Sequence, residues 1–95
     1  MQIVYILHSQ KLSRFYIGYT SNLKTRLEFH HNAAQDKFTY NADDWQLYLK
    51  IECKTKTQAI AIENHIKKMK SSKYIENLNK YPEMISKLLE RFSDC

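Results

Sequence analysis

The sequence predicts an α+β fold: a small three-stranded antiparallel or mixed sheet flanked by helices, in a single domain over residues 1–95. Three observations predict it. Two short runs of β-branched and aromatic residues open the chain, with about five polar residues between them, as an antiparallel hairpin requires. A third segment alternates apolar and polar residues with the two-residue period of a strand. The rest carries apolar residues at helical spacing behind capping residues.

Ile3 to His8 is too short for a helix and reads as a strand buried on both faces, bounded by Ser9-Gln10-Lys11. Arg14 to Tyr19 is its aromatic-rich partner. Thr20-Ser21-Asn22 supplies N-cap residues for a helix to about His31, with Leu23, Leu27 and His30 on one stripe. Asn32 to Asn41 has no clear period and is expected to be a loop. Trp45, Leu47, Leu49 and Ile51 are expected to face inward from a third strand, alternating with Gln46, Tyr48 and Lys50.

Thr55 followed by Gln58 forms a capping-box pattern opening a helix to about Ser71, whose apolar stripe is Ala59, Ile62, Ile66 and Met69. A shorter helix takes Tyr74, Ile75 and Leu78 as its contacts. Pro82 suits the first turn of a last helix, which would bury Ile85, Leu88, Leu89 and Phe92. No internal repeat or linker interrupts this order.

Composition narrows the function classes. The chain is 43% hydrophobic and 26% charged, which is globular rather than low-complexity. One glycine, Gly18, and one proline occur, so no glycine-built phosphate loop can form. Fifteen Lys and Arg against ten Asp and Glu give +5, a balance suited to a polyanion or simply to solubility. Lys67, Lys68, Lys70 and Lys73 fall within seven residues, while Asp36, Asp43 and Asp44 lie mid-chain. A lysine run is usually only a solvated face. Two cysteines, Cys53 and Cys95, cannot make a metal quartet, and free thiols are expected. Neither a signal-peptide pattern nor a run of the ~20 apolar residues a membrane span needs is present. The expectation is a soluble, cytoplasmic protein without membrane contact.

Several side chains look costly for a purely structural role, though each has a plain reading. Glu63 lies between the stripe of Ala59 and Ile66 and the neighbouring Ile60, so it does not sit on the most exposed face. Its plain reading is an edge glutamate paired with Lys67 at i+4, worth roughly 0.2–0.5 kcal/mol. Arg26 and His30, four apart, share a helical face; the arginine would ordinarily be solvated and the histidine packed. Tyr5 and Tyr16 can be core aromatics with satisfied hydroxyls. His31 and His65 are set aside, His65 because it falls off the apolar stripe.

As a spaced set these residues resemble the GIY-YIG nuclease superfamily, in particular its small stand-alone members related to the nuclease module of the bacterial excinuclease. Tyr16-Ile17-Gly18 is the second motif intact, and Ile3-Val4-Tyr5 is a degenerate first motif that keeps its tyrosine. Eleven positions separate the tyrosines and ten more lead to Arg26, both as in the family. Phe15 through Leu23, Arg26-Leu27, His30, Phe38-Thr39, Trp45 and Ala59 to Lys67 continue the likeness, so it covers essentially the whole chain.

The resemblance implies metal-dependent hydrolysis of a phosphodiester, in DNA rather than RNA. It implies that Glu63 holds Mg²⁺ or Mn²⁺, hard cations that favour carboxylate and water oxygens. Arg26 would fork onto phosphate oxygens, and Tyr5 or Tyr16 would activate or orient the attacking water. A tyrosine titrates near pH ~10, so a base role needs a lowered pKa. His30 would relay the proton or hydrogen-bond a tyrosine. Gly18 is expected to let the substrate backbone or a helix approach closely. Lys67, Lys68, Lys70 and Lys73 would track the nucleic-acid backbone. The family often adds an asparagine after the glutamate, for which Asn77 and Asn79 are candidates. The alternative function is a nucleic-acid-binding module with weak or partner-dependent cleavage, since no separate DNA-binding domain is present and a protein partner could supply specificity. A third reading is a basic structural protein whose constellation is core packing.

Overall fold

Strands β1 (Gln2–Ser9) and β2 (Arg14–Thr20) form a hairpin, and helix α1 (Leu23–Asn32) follows in the computed structural model. Strand β3 (Gln46–Cys53) then precedes helices α2 (Lys56–Met69), α3 (Ser72–Lys80) and α4 (Pro82–Arg91). The structure describes residues 2–32 and 45–93, without the side chains of 28–32. The expected loop over 33–41, Phe38-Thr39, the mid-chain aspartates and Cys95 therefore lie outside the described residues. The sheet is wholly antiparallel in the order β2-β1-β3, so the central strand is the first one. Membership of an α+β class with a three-stranded sheet is as the sequence predicts.

The hairpin closes without glycine. Ser9 Oγ accepts the Leu12 amide at 3.2 Å, and Ser13 takes the left-handed conformation at φ 51°. β1 is buried from Val4 to Leu7, as a central strand covered on both faces must be. Residues directly opposite in an antiparallel pair share a face. Val4 and Ile6 thus point the same way as Ile51, and join Cys53, Ala59, Ile62, Ile66, Ile75, Leu78 and Leu88 in the core. Tyr5 and Leu7 belong to the opposite face, with Gly18 and Tyr16 as their cross-strand partners.

β3 departs from the expected alternation. A bulge lets Ile6 pair with Leu49 but Leu7 with Leu47, leaving Tyr48 as the inserted residue. One extra residue flips the side chains beyond it to the other face. Leu47, expected inside, is 41% exposed. Tyr48, expected outside, packs inward, its ring 5.0 Å from Phe15 and 6.0 Å from His8. Trp45 precedes the strand and is half-buried. On the other side of the bulge, Ile51 and Cys53 hold the inner face.

The helices follow their caps. Asn22 caps α1, its Oδ1 accepting the Thr25 amide at 3.1 Å. On α2 Thr55 Oγ1 accepts the Gln58 amide, the first half of the capping box. Gln58 also does more than cap: buried, it accepts the Lys54 amide and donates to the Leu89 carbonyl, both at 2.8 Å, tying α2 to α4. α2 ends at Met69 rather than near Ser71, because Lys70 turns left-handed at φ 46° and Ser71 caps α3. Met69, at that last turn, is 44% exposed and leaves the stripe. His65, off that stripe as expected, packs against α3 and the end of α4, 5.8 Å from the Tyr74 ring and 5.4 Å from Phe92.

Candidate active site

A cleft of about 440 Å³ opens beside β2, lined by Gln2, Tyr5, Tyr16 to Ser21, Arg26, Lys56, Glu63 and Lys67. Six consecutive residues from Tyr16 to Ser21 line it. Alternate residues of a strand point to opposite faces, so an unbroken run marks the outer edge of β2 as one wall. The hairpin supplies that wall, the first turn of α1 supplies Arg26, and α2 supplies the facing wall.

Tyr5 reaches this edge from the central strand because of Gly18. The two are directly paired, and a Cβ on Gly18 would meet the Tyr5 hydroxyl oxygen at 2.6 Å. The ring lies across β2 in the space a side chain would fill. The space left by the missing Cβ is thus taken by Tyr5 itself, while Gly18 also lines the cleft. Tyr16 is beside it, with ring centres 6.2 Å apart. Tyr5 is 1% exposed and Tyr16 half-buried.

Glu63 stands one turn from Ala59 and Lys67 on α2 and is 9% exposed. Burying a carboxylate is costly unless it is paired. Lys67 Nζ donates to its Oε1 at 3.1 Å, so the ordinary i+4 pairing and the buried position both hold. Arg26 is exposed at the mouth. With Lys56, the described lining holds three cations, Arg26, Lys56 and Lys67, against the one described carboxylate of Glu63. Such a lining attracts anions.

Tyr5, Tyr16, Gly18, Arg26, Glu63 and Lys67 thus share one cleft. His30 belongs to α1, but its side chain lies outside the described residues. Lys68, Lys70 and Lys73 do not line this cleft; Lys70 forms the C-cap of α2 and Lys73 is exposed in the first turn of α3. Asn77 and Asn79 lie on α3 away from the lining. Lys56 escaped the sequence reading, although a signal existed. It precedes Glu63 by seven residues, which brings it within about 20° of the same helical face.

A second groove of about 700 Å³ lies on the far side of Lys67, between α2 and α4. Its lining is Ala61, Asn64, His65, Lys67, Lys68, Arg91 and Phe92. His65 Nε2 is 3.1 Å from the Tyr74 hydroxyl. Burial first, then the positive charges of Arg91 and Lys68, push the His65 pKa down. Burial raises the Tyr74 hydroxyl despite Arg91, and burial raises the Cys53 thiol. No described helix is long and apolar enough to cross a membrane.

The GIY-YIG catalytic domain family matches residues 1–79. No curated protein and no solved structure matches the chain. The family implies nuclease-type activity on nucleic acid, and its members generally use divalent metal ions. Among the described residues no group of three His, Cys, Asp or Glu is gathered. A hard cation needs no such cage, because one carboxylate can hold it while water and phosphate oxygens complete its shell. Glu63, buried yet lining an open cleft, fits that donor set. The spaced tyrosines, the Tyr16-Ile17-Gly18 strand, the buried helical glutamate and a match over most of its length make this chain a member of the GIY-YIG nuclease superfamily.

Proposed function

We propose that the protein is a metal-dependent endonuclease that hydrolyses phosphodiester bonds of DNA, with RNA the less favoured substrate. One observation carries the reading: two tyrosines, an arginine and a buried glutamate from four separate elements line a single cationic cleft. Core packing would not need these polar groups to meet at a strand edge.

Each residue then has a role set by its position. Arg26, at the mouth, receives the scissile phosphate as a two-pronged donor and offsets charge that develops on it. Lys56 and Lys67 add positive charge on the opposite wall. Glu63 holds Mg²⁺ or Mn²⁺ through its carboxylate, and Lys67 yields its place on Oε1 when it does. That cation, when bound, supplies Lewis-acid stabilisation of the phosphate and leaving oxygen. Tyr5 or Tyr16 orients the attacking water and takes its proton, with His30 as the relay. Gly18 holds Tyr5 in place. Lys68, Lys70 and Lys73 extend the positive charge along the backbone of the nucleic acid. Branched or nicked DNA suits an open edge-strand cleft, which is consistent with repair or recombination in the cytoplasm.

Cleavage of branched, nicked and single-stranded DNA, with and without Mg²⁺, tests the reading. Glu63→Ala and Arg26→Ala should each abolish cleavage while Glu63→Ala still binds DNA. Unchanged cleavage in both variants would overturn the site. The ion pair between Glu63 and Lys67 favours one other reading, a binding module whose carboxylate serves as a counter-ion only. Wild-type binding with no cleavage under any divalent cation would select it.

A further inference from the structure

The groove between α2 and α4 has a composition that core packing does not explain. Lys67 and Lys68 come from the last turn of α2 and Arg91 from the last turn of α4. Among its described lining residues there is no carboxylate. Lys67 is paired with Glu63 on the cleft side, whereas Lys68 and Arg91 face the groove with no carboxylate among its described lining, so an anion bound there would offset their mutual repulsion. Arg91 is also held: its guanidinium carbon lies 5.2 Å from the centre of the Phe92 ring, a cation–π contact that positions the fork.

Two further facts relate the groove to the cleft. Lys67 lines both, so an anion path from Glu63 crosses that one lysine and continues to Lys68 and Arg91. Arg91 and Phe92 lie beyond residues 1–79, the part that matches the family. The C-terminal helix thus adds a basic wall that the matched portion does not contain. α4 is anchored for this by Gln58, which donates to the Leu89 carbonyl at 2.8 Å.

We propose that this groove is a second nucleic-acid-binding surface, in which Lys67, Lys68 and Arg91 hold backbone phosphates of the substrate strand beyond the catalytic cleft. The proposal rests on the nuclease reading above. It extends that reading by giving α4 a part in gripping the substrate. It also divides the lysine run: Lys68 faces the groove, whereas Lys70 and Lys73 do not line it.

The test is binding of fluorescein-labelled single-stranded and duplex oligonucleotides to the full chain in EDTA, across a salt series. The double variant Lys68→Ala/Arg91→Ala removes two phosphate contacts. Its affinity should fall about 10-fold or more, and its salt slope should shrink by about 1.8 on duplex and about 1.4 on single strands, at about 0.9 and 0.7 per phosphate. A charge-matched control, Lys80→Ala/Lys87→Ala, lies outside both linings and should keep the wild-type slope. Arg91→Lys in the Lys68 wild-type background should retain most binding, which separates charge from loss of packing on Phe92. Equal weakening of both double variants, or none in Lys68→Ala/Arg91→Ala, overturns the groove while leaving the nuclease reading intact. Failure of the wild type to bind any oligonucleotide overturns both.

Discussion

A β-carbon on Gly18 would lie 2.6 Å from the Tyr5 hydroxyl oxygen and 2.8 Å from the ring carbon that bears it. Tyr5 is 1% exposed, so a shift of its ring must be taken up by packed neighbours or push the hydroxyl into the cleft it lines. Gly18→Ala should therefore cost about 1–3 kcal/mol through overpacking. Displacing the hydroxyl should also slow cleavage on the order of 100-fold, as misplacement of a reacting group by about 1 Å can do. Urea denaturation and single-turnover cleavage measure the two effects. A variant with the wild-type midpoint and rate would show that the ring does not depend on Gly18.

The chain's only glycine is thus placed for space rather than for backbone freedom. The two left-handed residues described are Ser13 and Lys70, at φ 51° and 46°. An L-residue in that region costs roughly 1–2 kcal/mol. Lys70→Gly should relieve that strain at the C-cap of α2, offset by about 0.4–1 kcal/mol of extra entropy in the unfolded chain. The expected net gain is between nil and about 1.6 kcal/mol in chemical denaturation. A loss of stability would show that the Lys70 side chain contributes more than its backbone costs.

These residues also mark what the sequence reveals and what it hides. Caps at Asn22, Thr55 and Ser71 and the stripe Ala59, Ile62, Ile66 are local patterns, and local patterns are legible. The spacing of Tyr5, Tyr16 and Arg26 is legible only through the resemblance to the family, since no local period links them. The bulge at Tyr48 is not, because it depends on register against β1. Neither is the contact of Gly18 with Tyr5, which joins residues thirteen apart across the hairpin. The second groove needs α4 folded back on α2, a long-range event signalled only by Gln58, whose capping role masks its bond to Leu89. Lys56 is legible at i−7 from Glu63, which sets it on the same face of α2.

If Glu63 holds the divalent cation, Lys67 competes with it for Oε1. A half-exposed ion pair is worth about 0.2–1 kcal/mol, equivalent to roughly 1.4- to 5-fold in an equilibrium constant. Lys67→Met should therefore tighten Mn²⁺ binding by about that factor in titration calorimetry without nucleic acid, even as cleavage falls. Glu63→Gln should remove the binding event. Mn²⁺ affinity lowered by Lys67→Met would show that the lysine does not occupy the cation's position.

His65 gives the fold a pH dependence with a definite sign. Burial, Arg91 and Lys68 all hold its pKa below the ordinary value, near 6.5 in an unfolded chain. Between the two values the unfolded chain binds a proton that the folded one resists, so stability falls as pH drops through that window. The contribution is present in full above about pH 6.5 and is lost as the pH falls through the folded pKa. Tyr74 and Cys53, whose pKa values burial raises, titrate above this window and do not contribute to it. His65→Gln keeps a hydrogen-bonding group near the Tyr74 hydroxyl but cannot titrate. Urea midpoints from about pH 7.5 to about pH 5.5, spanning the histidine range, should decline more steeply for the wild type than for this variant. Parallel declines would assign the pH dependence to another group.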